Sequence, residues 1–190
     1  TTGRAAAVLL AYNPESGVRT VVDIFVGHRL GATGVRNKLL YEFWEKYKDH
    51  RVAYSVIETN FAPTLLGDET VRNRANWAGT RMVEHKTVGV GSKRGSKWDE
   101  EYGIGAMQAL FYSGLVAFPS ATISDKQKLE PLMDDMLVFP WAKEQDALIA
   151  FWVANGECKS SSVFSIDLGK VVSRRNIPPI IRDRMFARKK

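Results

Sequence analysis

The run Val52-Ala53-Tyr54-Ser55-Val56-Ile57-Glu58-Thr59-Asn60 decides the fold class. It is apolar and rich in β-branched residues until Glu58, as a strand is when it leaves a covered sheet. Immediately upstream, Val35, Leu39, Leu40, Phe43, Trp44 and Tyr47 recur at helical spacing, with Arg36, Lys38, Glu42, Glu45, Lys46 and Lys48 between them. That pattern predicts an amphipathic helix of about four turns leading into the strand. Further back, Ala5–Tyr12 and Thr20–Gly27 read as two strands joined by the turn Asn13-Pro14-Glu15-Ser16-Gly17. The first of them is nearly all apolar, which suits a strand covered on both faces.

Downstream of the 52–58 strand, 68–78 reads as helix and 81–88 as extended chain. Gly89–Ser96 is a basic, glycine-bordered loop, 98–112 reads as helix, and 115–118 as a short strand before Pro119. Ser124 with Asp125 is expected to cap a helix running to about Leu137. Pro140 precedes a last core helix over about 142–154. Hairpin, helix, strand, helical segments, strand and helix in that order predict a mixed central sheet with helices on its faces, an α/β architecture. Beyond Gly156 the composition shifts to Ser, Arg, Lys and Pro-Pro, which places a boundary near residue 158 between a domain, 1–158, and a basic extension, 159–190.

Composition narrows the class. With 45% hydrophobic and 25% charged residues, the 190-residue chain matches an ordinary globular protein with room for a core. No run reaches the roughly 20 apolar residues of a membrane helix, and no signal peptide leads the sequence. Thr1 in first position suggests a piece of a longer protein. The lone Cys158 rules out an internal disulfide and suits a reducing compartment. His28, His50 and His85 lack metal-ligand spacing, which argues against structural zinc. The sequence has no G-x-x-x-x-G-K-[ST] phosphate loop, which argues against nucleotide hydrolysis of that type by these residues.

The net charge of +6 is unevenly placed. Residues 159–190 carry nine Lys/Arg against Asp167 and Asp183, a local net of +7, which leaves −1 for the remainder. Within the domain, Arg72, Arg74, Arg81, Lys86, Lys93, Arg94 and Lys97 face only Glu84 over 72–97. A phosphate backbone is one natural partner for that segment and a solvated face is the other reading. Lys93, Arg94, Arg72 and Arg74 are the candidate contacts to double-stranded DNA. In the tail, Ile177-Pro178-Pro179-Ile180-Ile181 adds apolar anchors that a purely solubilising segment would not need.

Two carboxylates carry the chemical argument. Glu58 ends the 52–58 strand and Asp146 opens Asp146-Ala147-Leu148-Ile149-Ala150-Phe151-Trp152. A charge at the end of a buried strand, or at the head of a buried helix, costs desolvation energy unless something compensates it. Two Mg²⁺ or Mn²⁺ ions shared between them would compensate both and could act on a phosphodiester. A strand-end glutamate reaching solvent or an arginine, and a plain helix cap at Asp146, are the structural alternatives. Glu144 could assist, and Asp99, Glu100 and Glu101 read as an acidic first helical turn. Trp44, Trp77, Trp98, Trp141 and Trp152 are expected to be core or edge packing, with Trp98 the one worth testing as a stacking platform.

Four stretches together resemble the nuclease domain of phage terminase large subunits, the proteins that package viral DNA. Ile57-Glu58-Thr59-Asn60 resembles that family's I-E-x-N strand end, with Asn60 expected to orient Glu58. Lys97-Trp98-Asp99-Glu100-Glu101-Tyr102-Gly103-Ile104 resembles N-K-x-D…(F/Y)-G-V, although Ser96 stands where Asn is usual. Phe111–Pro119 resembles L-F-x-x-G-x-I-x-L-P. Leu137-Val138-Phe139-Pro140, then Asp146–Trp152, is similar to the closing Y/F-P…D-x-(L/V)-(M/I)-A-x-W. The likeness runs in order over about 150 residues.

The resemblance implies a ribonuclease H-like fold and a metal-dependent endonuclease that cuts concatemeric viral DNA with little sequence preference. Glu58 and Asp146 would hold two ions, and Lys97 would contact phosphate. It also implies an upstream ATPase domain, a portal or procapsid and small terminase subunit as partners, and work in the host cytoplasm without a membrane. The family's first strand and its Asp precede a segment like Thr1–Ala7, so they have no counterpart in the sequence; Asp23 might substitute. A sheet lacking its central strand is expected to show a gap, a rearrangement or help from a partner. Competing readings are another ribonuclease H-like enzyme, such as a resolvase or transposase core, and a non-catalytic DNA-binding or portal-docking module.

Overall fold

The computed structural model describes residues 4–58, 64–86, 103–141 and 145–160. Strands β1 (Arg4–Tyr12) and β2 (Arg19–His28) form the expected antiparallel hairpin. Its turn follows from its residues. Asn13 accepts the amides of Glu15 and Ser16 through Oδ1, and Gly17 takes the positive φ of 71° that closes the loop. One extra residue on β2 between the Leu9 and Leu10 pairs makes a bulge, which turns Val22 outward and Asp23 inward.

A continuous helical segment over 32–47, here α1, follows, and it widens to i→i+5 hydrogen bonding over Val35–Tyr41. Strand β3 (Tyr54–Glu58), helix α2 (Glu69–Trp77) and strand β4 (Arg81–His85) then form a parallel β-α-β unit. Asp68 caps α2 by accepting the Thr70 amide. A 3₁₀ turn (Ile104–Met107) leads into α3 (Gln108–Tyr112), and β5 (Val116–Ala117) pairs parallel with β2. Helix α4 (Ile123–Val138) is capped two residues earlier than expected. Thr122, not Ser124, accepts the Asp125 amide at 3.1 Å, while Asp125 returns the bond to the Thr122 amide. The last helix, α5 (Asp146–Ser160), begins at the candidate carboxylate and continues through residue 158, past the composition boundary.

The architecture is mixed α/β in three layers. Ala6, Val8 and Leu10 of β1, with Val56 of β3, pack on a core built from α3, α4 and α5: Met107, Leu110, Phe111, Leu129, Leu132, Leu148 and Phe151. Ala5 and Ala7, with Ile57, pack on the opposite core of Val35, Leu39, Trp44, Val71 and Ala75 from α1 and α2. Apolar residues on both faces of one strand therefore have a physical cause, since helices cover both sides. The strands do not make one sheet, however. They fall into a three-stranded sheet ordered β1-β2-β5 and a two-stranded sheet β3-β4. β1 and β3 are the facing edges, and a cavity of about 830 Å³ lies between them.

Polar side chains tie the layers. Arg19, almost fully buried in β2, donates to Asn155 Oδ1 of α5 at 2.9 Å and to the Gly17 carbonyl. Trp44 of α1 donates to Ser55 Oγ of β3 at 2.8 Å, and Ser55 bonds Thr80 at 2.9 Å. Among the described residues no helix is long and apolar enough to cross a membrane.

Candidate functional site

Both candidate carboxylates line the cavity between β1 and β3. Glu58 comes to it as the last residue of β3 and Asp146 as the first of α5. They belong to different layers of the sandwich and are 88 positions apart in sequence, and the fold brings them to the wall of one cavity.

What fixes Asp146 was not singled out in the sequence. Asp135, inside α4, accepts the amides of Ala147 and Leu148 through Oδ2 at 2.8 and 3.1 Å, so it caps the start of α5 from another helix. Its carboxylate is also gripped at both oxygens by the Arg4 guanidinium, at 2.7 and 2.8 Å. Arg4 Nε lies 3.8 Å from Asp146 Oδ2. The side chains of Arg4 and Asp135 are 13% and 2% exposed, and burial makes such a charge-assisted pair costly to break. A signal existed, because Leu129, Leu132 and Asp135 fall three apart on one helical face and the acid therefore occupies a core position.

Glu58 has a neighbour that sequence reasoning also passed over. It pairs with His85 in the β3–β4 register. The His85 ring meets Trp152 of α5 edge-on, with centroids 5.0 Å apart. Burial pushes the His85 pKa below the ordinary histidine value, against the opposing pull of the Glu58 and Glu157 carboxylates. The imidazole is thereby biased toward its neutral form beside the glutamate.

Asp23, the residue that might have stood in for a first-strand carboxylate, is committed elsewhere. It faces α1, accepting from Lys46 Nζ at 2.5 Å, from the Tyr47 hydroxyl and from the Ile24 amide at 3.0 Å. Burial alone would raise its pKa, but the Lys46 and Tyr47 hydrogen bonds outweigh burial and hold it below the usual carboxylate value. It is not among the residues lining the cavity.

The candidate DNA contacts divide. Arg72 and Arg74 lie on α2, where Arg72 Nε donates to the Leu66 carbonyl at 2.6 Å. Arg74 pairs with Glu45 at 2.8 Å and sits 3.9 Å over the Trp77 ring, with Lys48 on the same ring. Trp44 and Trp152 are core residues as expected, but Trp77 and Trp141 are exposed, at 52% and 78%. Trp77 stands out because Val71 and Ala75, not it, form the buried face of α2. Lys93, Arg94, Lys97, Trp98, Asn60, Glu144 and the 159–190 extension lie outside the residues whose side chains are described.

Glu58 and Asp146 offer oxygen donors only, which suits Mg²⁺ or Mn²⁺ better than softer ions. Among the described residues, no group of three or more His, Cys, Asp or Glu is arranged to hold a metal ion. Comparison of the chain with protein-family models, curated proteins and solved structures finds no match.

Proposed function

We propose that this domain is a metal-dependent endonuclease of the kind found in phage terminase large subunits, with a ribonuclease H-like fold. The observation that carries the reading is that Glu58 and Asp146, chosen from motif positions, line one cavity from different layers of an α/β sandwich. Glu58 and Asp146 would hold the ions, with an Asp upstream of Thr1 completing the set. Bound there, two divalent ions would supply a water activated at neutral pH and stabilisation of the leaving oxygen. The chain's own part is positioning. Asp135 and Arg4 fix the first turn of α5, and hence Asp146, and the β3–β4 ladder fixes Glu58 beside His85. Double-stranded DNA would be held through its backbone by Lys93, Arg94, Lys97 and the α2 arginines, which gives little sequence preference. An ATPase domain upstream, a portal and procapsid, a small terminase subunit and the host cytoplasm are the setting this reading implies.

One contact favours a second reading. The Arg4 guanidinium 3.8 Å from Asp146 already offsets that carboxylate's charge, so Asp146 could serve only to start α5 in a non-catalytic DNA-binding or docking module. Two assays separate the readings. Supercoiled plasmid with Mn²⁺ should be nicked, with loss of nicking in Glu58→Ala and in Asp146→Ala. Because a chain short of one ligand can bind without turnover, Mn²⁺ binding is followed in parallel by electron paramagnetic resonance. Full nicking by both variants, or Mn²⁺ binding unchanged in both, removes the proposed site. Preferential cutting of four-way junctions over linear duplex would instead favour a resolvase-like enzyme.

A further inference from the structure

We propose that the cavity between β1 and β3 is a strand-acceptor slot, whose occupant is an extended apolar polypeptide segment supplied from outside these 190 residues. The proposal rests on the fold alone and holds whether or not the domain cuts DNA. Every residue of 5–12 in β1 and every residue of β3 lines the cavity, so its two long walls are strands over their whole length. Among the described residues both are edge strands of their sheets, and an edge strand presents a row of backbone N–H and C=O groups to whatever lies beside it. The remaining two sides are mostly apolar, although His50, Arg51, Asp146 and Glu157 also reach the cavity wall. Ile149, Ala150 and Val153 of α5 lie on one, and Leu39, Phe43 and Trp44 of α1 on the other.

Those walls set four requirements at once: hydrogen-bonding groups on both edges and apolar side chains on both faces. A β-strand meets all four, and a compact small molecule does not. β3 alone is five residues, about 17 Å of strand, which sets the minimum length of the insert. Once in place, the insert would join β1-β2-β5 and β3-β4 into one continuous sheet.

The burial of β1 points the same way. It is one of the most apolar stretches of the chain and lies between two helical layers, yet among Ala5–Leu10 only Ala5 is fully buried. The missing coverage lies along the strand edge. Two internal sources fit poorly. Residues 159–190 carry a net charge of +7, which apolar layers would have to desolvate. A second copy has no spare strand among the described residues, because each is already paired within its own chain.

The test is hydrogen exchange on the full 190-residue chain with the peptide acetyl-KVIVAVIK-amide as probe. Binding should slow exchange in segments 4–12 and 54–58 and raise the melting temperature as peptide concentration rises. The analogue acetyl-KVPVPVIK-amide, which cannot make the ladders, should bind about tenfold more weakly or worse. Ala150→Trp, which fills the slot from α5, should abolish binding with an unchanged circular dichroism spectrum. Equal binding of the proline analogue would mean a generic apolar pocket, and absence of any binding would also overturn the proposal. So would faster exchange of β1 and β3 on deleting 161–190, which would make the chain's own tail the occupant. A dimer by light scattering whose dissociation has the same effect would assign the slot to a second copy.

Discussion

β1 and β2 are neighbours in one hairpin, and their burial inverts their composition. β2 buries Arg19 and Asp23 almost completely, beside Val21 and Ile24. β1, with Ala5-Ala6-Ala7-Val8-Leu9-Leu10, leaves all but Ala5 partly open. The difference shows that position in the sheet, more than side-chain polarity, decides burial here. Among the described residues β2 has a strand on both sides and a partner for each buried charge; β1 has a strand on one side and the cavity on the other.

The largest way to break that comparison is to remove β1's one strong polar tie. Asp135→Ala leaves the buried Arg4 guanidinium without its partner and strips two amides at the start of α5 of their acceptor. The expected loss is about 3–5 kcal/mol in urea unfolding. Asp135→Asn, which keeps an acceptor for those amides, should cost less. Equal losses would show that the ion pair, and not the cap, carries the energy.

A matched pair sharpens the comparison directly. Val21→Ala on β2, fully buried, should cost roughly 2–3 kcal/mol, and Val8→Ala on the half-open β1 should cost less than about 1 kcal/mol. Equal penalties in denaturant titrations would mean that β1 is effectively covered in solution. The smallest expected effect is a pH dependence. Asp23 has a depressed pKa in the fold, so its contribution is present above the unfolded value near 4 and is lost as pH falls through the lower folded value. In Asp23→Asn, the acid-side decline in melting temperature below pH 4 should flatten relative to the wild type. An unchanged slope would assign that decline to other carboxylates.

Much of the layer pattern was legible in the sequence, because hydrophobic periodicity reports which faces are covered. The α1 stripe Val35, Leu39, Leu40, Phe43, Trp44 and Tyr47 and the β1, β2 and β3 runs appear close to where they were read. The split into two sheets was anticipated only through the resemblance, as a gap left by a missing strand, since lateral pairing depends on backbone edges that side-chain pattern does not encode. Within the site, motif spacing led to Glu58 and Asp146, both on the cavity wall. It missed Asp135 and His85, whose roles come from long-range contacts with Arg4, α5 and Trp152. Trp77 is edge packing and not core, because an aromatic at a helix end can sit beneath a cation such as Arg74 instead of entering the interior.

Arg4 and Asp135 are 131 positions apart. The clasp that starts the last helix can therefore close only after most of the polypeptide has been made and roughly arranged. Contacts of such long range slow the search for the native topology. Until that clasp forms, α5 has no acceptor from Asp135 for its leading amides, so the final turn of assembly is also the one that orients the candidate site.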